Sequence, residues 1–188
     1  MAWMIRPTLP TDRAAVLALV EEAFSGEAHD GREEVDIVER TWELGAAPAE
    51  LDLIAVDNDD HVIGHVLAAP GTLRRVEEAH DRAPADRQAL AVAPLAVLPS
   101  RQRQGVGSSL MREVLSRAER SGAPLVLLLG DPGYYRRFGF EPADTYGIFY
   151  PPVGPGDPHF MIRRLRDLGG GWAGAFVYCW EDAAPARR

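Results

Sequence analysis

The residues with the clearest chemical capacity lie between Leu95 and Leu110, where an apolar run gives way to Pro99-Ser-Arg-Gln-Arg-Gln-Gly105-Val-Gly107-Ser-Ser109. Gly105 and Gly107 carry no side chain, so an anion can come close to the backbone there. If a helix opens at these glycines, its first N–H groups have no intrahelical partner and its dipole favours negative charge. Arg101 and Arg103 flank the turn and suit phosphate. The chemistry such a turn can do is anion binding, and a pyrophosphate fits it. Three familiar phosphate or nucleophile motifs are excluded. Leu110 stands where a dinucleotide fingerprint needs its third glycine. Ser108 and Ser109 follow the glycines with no closing glycine, so there is no nucleophile elbow. All 20 basic residues are arginine, which removes the lysine of a Walker loop and of Schiff-base chemistry.

Other reactive residue types give weaker signals. His61 and His65 are four apart in a strand-like run, which sets them roughly 13 Å apart, too far for one metal. Asp57-Asn58-Asp59-Asp60 lacks the glycine and terminal glutamate of a calcium loop. No metal site is expected. Cys179 is the only cysteine; lying between aromatics in a strand-like run, it reads as packing. His65 could titrate near neutral pH and serve as a base, although a buried structural histidine accounts for the same residue.

These residues need elements to hold them. Trp3–Arg6 reads as a strand, and Thr11 as the N-cap of a helix with Val16, Leu17, Val20, Ala23 and Phe24 at helical spacing. Glu33–Leu44 reads as a second helix, stopped by Gly45, with Val35, Val38 and Trp42 inward. Leu51–Asp57 and His61–Ala68 form a predicted hairpin, and Pro70–Asp86 is polar and unassigned. Gln88–Leu98 is a buried strand in which Pro94 marks a bulge or splay. Gly105–Arg120 is an amphipathic helix, followed by a strand at Pro124–Leu129 and a short helix at Pro132–Phe138. Pro151–Pro158 is a surface loop, and Phe160–Leu165 and Ala173–Trp180 are late strands. The order predicts one α/β domain with a mixed sheet.

Composition narrows the function classes. A 46% hydrophobic share with one cysteine excludes a disordered chain and a disulfide-stapled one. No apolar stretch approaches the ~20 residues of a spanning helix, and no export signal opens the sequence, so the cytoplasm is the expected setting and no membrane partner is expected. The net charge is -8, which disfavours nucleic acid as a partner. The charge is uneven: 14 carboxylates between Glu21 and Asp60 face only Arg32 and Arg40, whereas residues 91–188 are net basic. A charged solubilising surface accounts for this split, as does a site for a cationic partner.

Val97-x-Pro99 followed by Gln102-Arg103-Gln104-Gly105-Val106-Gly107 resembles the cofactor signature of the GNAT superfamily of acyl-CoA-dependent N-acetyltransferases. Some 25 residues later, Gly130-Asp-Pro-Gly-Tyr-Tyr-Arg-Arg-Phe-Gly-Phe-Glu-Pro142 resembles the family's second landmark, a tyrosine shortly before an apolar-Gly-Phe turn. The resemblance implies a GNAT-like mixed central sheet with a splayed strand, helices on both faces, and a single domain over residues 1–188. It implies acetyl-CoA as cofactor. Leu95, Ala96 and Val97 would pair with the pantetheine arm, and Gln102, Arg103, Gln104, Gly105, Val106, Gly107 and Ser108 would surround the pyrophosphate. Asp131 would meet the pantetheine or cap a helix, and Tyr134 would form the cofactor wall.

The same resemblance puts Tyr135 in the place of the general acid for direct acetyl transfer to a primary amine on a small molecule or peptide. Its N-terminal helices would wall the acceptor site, making Glu27, Asp30, Glu33, Glu34 and His65 candidates for binding a cationic amine. The family often carries a glutamate base on the splayed strand, but Ala89–Leu98 holds no ionisable residue. Deprotonation would then run through water or through a residue on a neighbouring strand, for which His65 is the candidate. The alternatives are a non-catalytic acyl-CoA-binding or sensing protein that keeps the cradle, and an unrelated nucleotide-binding domain; a homodimer is possible.

Overall fold

The computed structural model describes residues 3–26, 29–75, 86–169 and 172–182. The chain divides into two compact units, Met1–Ala69 with Val92–Arg120, and Pro70–Ala91 with Ser121–Arg188.

In the first unit, β1 (Met4–Pro7), β2 (Asp52–Val56) and the first part of β3 (Val62–Arg74) pair antiparallel, with Ile5 opposite Ala55 and Ile54 opposite His65. The last part of β4 (Arg87–Val97) is the next strand in the sheet. Alternation along β2 and β3 sends side chains to two faces. Ile54, Val56 and Leu67 join Val16, Leu19 and Val20 of α1 (Arg13–Phe24) and Val38 of α2 (Arg32–Glu43) in one buried cluster. On the other face, a Cβ built on Gly64 would stand 3.0 Å from Val106 and 2.9 Å from Leu110 of α3 (Val106–Arg120), so β3 and α3 are in close contact there. Helices thus cover both faces of this unit's strands, as expected.

Two local expectations are corrected. Thr11 lies inside a 3-10 turn (Pro10–Asp12), and Asp12 is the residue that precedes α1. Its side chain makes no cap bond to α1: the carboxylate takes the Leu9 amide at 2.8 Å and the two terminal guanidinium nitrogens of Arg6 at 2.6 and 3.0 Å. The strand from His61 was expected to end at Ala68, but β3 runs on to Arg74. Pro70 and Gly71, at the start of the unassigned stretch, are inside it.

In the second unit, β5 (Leu125–Leu129) pairs in parallel with β4 at Leu90–Val126 and Ala91–Leu127. The sheet is therefore mixed. After α4 (Pro132–Tyr135) and a 3-10 turn, β6 (Glu141–Pro142) and β7 (Ile148–Phe149) precede β8 (Phe160–Arg164), which lies antiparallel between β5 and β6. β9 (Gly174–Tyr178) pairs with the second part of β3 and, in parallel, with β7. Tyr150, Phe160, Phe176, Tyr178 and Trp180 form a connected aromatic core, with Tyr178 stacked on Trp180 at 4.4 Å. The strand expected to run to Trp180 stops at Tyr178, and Cys179 opens a helical turn, α5 (Cys179–Asp182), where it is half-buried. No helix among the described residues is long and apolar enough to cross a membrane.

Candidate active site

The turn between β4 and α3 is built by its own side chains. Gln102 Nε2 donates to Val97 O at 3.2 Å, and Gln104 Nε2 donates to Ser100 O at 3.0 Å. Arg103 (φ +57) and Gly105 (φ +97) are both left-handed, a conformation open to glycine and uncommon for arginine. Behind Gly105, a Cβ would meet the Trp3 ring at 3.8 Å. The first i→i−4 bond of α3 runs from Ser109 N to Gly105 O at 2.9 Å. The amides of Val106, Gly107 and Ser108 therefore precede the ladder as first-turn donors. Alternating backbone handedness beside such donors is the geometry of an anion-binding concavity. Along β4, Leu95 and Val97 are half-buried and flank buried Ala96.

Arg101, expected to suit phosphate, has its guanidinium 3.1 Å from Asp57 Oδ2. Asp57 also takes the amides of His61 and Asp59 on Oδ1; the His61 amide first, with the Asp59 amide, holds its carboxyl below the ordinary range against the opposing effect of burial. His61 is in this turn rather than in a strand, so Asp57, Asp59 and His61 come together with ligand-type atoms within 4.8 Å of one another. A half-open cavity of about 260 Å³ lies here, lined chiefly by Trp3, Asp57, Asn58, Asp59, Arg101 and Gln104.

In the second unit, Asp131 precedes α4 and its Oδ1 accepts the Gly133 amide at 2.8 Å. It is a helix cap here. Tyr134 packs edge-on to Tyr135 at 4.9 Å and carries the Arg137 guanidinium over its ring at 4.3 Å. Tyr135 lies against Gly130 so closely that a Cβ there would stand 2.3 Å from the Tyr135 ring. Burial, aided by Tyr134 and Asp131, pushes the Tyr135 hydroxyl well above the usual phenol range. It is a proton carrier across the whole neutral region.

Of the acceptor-side candidates, Glu27 lies outside the described residues. Asp30 is exposed and binds the Arg32 amide at 3.2 Å. Glu33 and Glu34 occupy the first turn of α2, where carboxylates oppose the helix dipole favourably. His65 is instead in the core, wholly buried, with Nε2 2.8 Å from Asp52 Oδ1. The sequence reading missed Asp52, Thr8 and Trp42, which this pairing brings together, and Trp3 behind the glycine turn. Asp52, Thr8 and Trp42 lie 13, 57 and 23 positions from His65, and no short-range pattern links them.

Residues 4–143 match the family model described as an acetyltransferase (GNAT) domain. The chain is 31% identical over 164 residues to YhbS of Escherichia coli K12, called an uncharacterised N-acetyltransferase, covering 87% of this chain and 88% of that one. The crystal structure of Escherichia coli YhbS in complex with CoA superposes with a TM-score of 0.75 at 30% identity, over 94% of this chain and 89% of YhbS. A GNAT family acetyltransferase from Brucella melitensis, in complex with acetyl-CoA, gives a TM-score of 0.72 at 29% identity, over 94% and 96%.

Proposed function

Because the chain belongs to the GNAT acetyltransferase family, we propose that it transfers an acetyl group from acetyl-CoA directly to a primary amine. The observation that carries this reading is the turn from Gln102 to Gly105 opening α3, with its first-turn amides set for an anion. It fits a pyrophosphate through backbone donors, aided by the exposed Arg103. Relatives of similar length that hold CoA and acetyl-CoA support the same ligand. When bound, acetyl-CoA supplies the activated thioester.

The rest of the chemistry belongs to the chain. The backbone of Leu95, Ala96 and Val97 orients the acyl arm. Tyr134 contributes to the cofactor wall, as does Asp131 through the oxygen that does not cap α4. Tyr135 keeps its proton until a thiolate needs it, the role of a general acid. Asp30, Glu33 and Glu34 favour an acceptor that arrives as a cation.

Calorimetry with acetyl-CoA tests the binding half, with saturable heat expected. No heat at millimolar ligand sinks the proposal. Thiol release across a panel of primary amines tests the transfer half. Tyr135→Phe is expected to lower kcat by about 10²–10⁴-fold with little change in acetyl-CoA affinity; unchanged turnover would assign Tyr135 to packing.

A further inference from the structure

His65 projects from β3 onto the face covered by α1 and α2, beside its cross-strand partner Ile54. It is 0% exposed, and Asp52 is 7% exposed. Asp52 Oδ1 takes Thr8 Oγ1 at 2.6 Å and His65 Nε2 at 2.8 Å, and its Oδ2 takes Trp42 Nε1 at 2.7 Å. Burial alone would push this carboxyl up, but the hydrogen bonds and the imidazole together hold it below the ordinary range. An ionised carboxylate has no hydrogen to give, so Nε2 must be the donor. The neutral ring then carries its lone pair on Nδ1, and Nδ1 is buried with no hydrogen-bond partner in the protein.

A buried nitrogen left unpaired is destabilising, and such a group in a folded protein calls for an explanation. Its neighbourhood supplies one. Leu98 N donates to Ile63 O at 3.2 Å, and a Cβ on Gly64 would stand 3.3 Å from Ala96 O. His65 is therefore one strand away from the segment proposed above to orient the acyl arm. Asp52 on β2 is the charged partner of His65, and on the helix side Trp42, which donates to Asp52, carries the Arg13 guanidinium of α1 at 4.9 Å from its ring centre.

We infer that Asp52 and His65 form a base dyad in which Nδ1 of His65 takes, through one water, the proton that the acceptor ammonium must lose. The ammonium N–H bond breaks, its electron pair stays on nitrogen as the nucleophile, and a new N–H bond forms on Nδ1. Asp52 is a positioning residue: it fixes the tautomer and faces the imidazolium that results. The inference rests on the acetyl-transfer reading and supplies the base that the splayed strand lacks.

Asp52→Asn separates this from a structural role. The new amide nitrogen can donate to His65 Nε2 and Thr8 Oγ1, while the oxygen still accepts from Trp42. The hydrogen bonds survive, but the imidazole hydrogen moves to Nδ1. Nitrogen-15 NMR of the ring, with and without acetyl-CoA, is expected to show Nε2–H in the wild type and Nδ1–H in the variant. With the fastest amine of the panel, kcat is expected to fall about 10²-fold or more, the KM for acetyl-CoA to hold, and the acidic limb of the pH–rate profile to move. His65→Gln, which keeps a donor toward Asp52, is expected to lose that limb. An Nδ1–H wild type, or an Asp52→Asn enzyme as fast as wild type, overturns the dyad. Failure of acetyl-CoA to bind overturns the first reading instead, and the tautomer of the free protein still decides the assignment of the ring.

Discussion

Replacing Gly31 with alanine tests how the corner between α1 and α2 is set. Gly31 precedes α2 with φ +72, and its carbonyl receives the Val35 amide at 3.2 Å. A Cβ there would stand 2.6 Å from the Glu21 carbonyl oxygen and 3.0 Å from the Glu21 Cα. Both are backbone atoms of α1, so no rotamer change relieves the clash. The left-handed conformation costs a side chain about 1–2 kcal/mol, and forcing an extra methyl into packed backbone about 1–3 kcal/mol. The loss of unfolded-chain entropy returns about 0.4–1 kcal/mol, leaving a net destabilisation of roughly 1–4.5 kcal/mol. Gly45 is the control, because it has φ +60 but nothing within 4 Å of its built Cβ. Gly45→Ala is expected to cost about 1 kcal/mol or less. Urea unfolding of both variants beside wild type gives the difference directly. If the two costs agree within about 0.5 kcal/mol, the scatter of additive sites, the corner is not held by backbone contact and the reasoning fails.

Three further expectations follow from separate regions. Trp42→Phe keeps an aromatic ring, though a smaller one, and removes a donor from buried Asp52, and urea midpoints should report at least about 1.5–3 kcal/mol lost. Asp12 is held below its ordinary value of 3.8 chiefly by the Arg6 hydrogen bond, against a smaller effect of burial. Its stabilisation is complete above that value and disappears as pH falls through the lower folded value. The stability difference between wild type and Asp12→Asn should therefore shrink on acidification below 3.8; a difference that is flat with pH counts against the pairing. Leu127→Ala, in the fully buried centre of β5, should cost about 2–5 kcal/mol by thermal or urea unfolding, whereas Leu129→Ala, 44% exposed, should cost far less.

Glycine, proline and apolar spacing made the turn at 102–107 and the helix after it readable, because they act on the local backbone. Tyr134 and Tyr135 were readable for the same reason, followed as they are by a Gly139 turn. Asp52 was not: along the sequence it is one carboxylate in an acidic stretch, and only folding gives it Thr8, Trp42 and His65. Thr11 lost the capping position because Asp12 binds both Arg6 and the Leu9 amide, and Arg6 is on a strand. Pro70 and Gly71 stood in a stretch left unassigned, yet Gly71 is where the Phe176 ring closes on β3, within 2.2 Å of a built Cβ. That partner is more than a hundred residues away.

The first unit is made of two stretches of chain separated by Pro70–Ala91. During synthesis, α1, α2, β2 and β3 leave the ribosome before the strand and helix that complete them. At about 5–20 residues per second, the nascent chain takes several seconds to deliver the rest. In that interval Gly64 and its neighbours on β3 have no α3 to meet, and Ala96 has not yet joined the cluster around Val16 and Val20. The apolar face opposite α1 and α2 is therefore the surface of the newborn chain most in need of a chaperone, and release through Arg120 is the event that closes it.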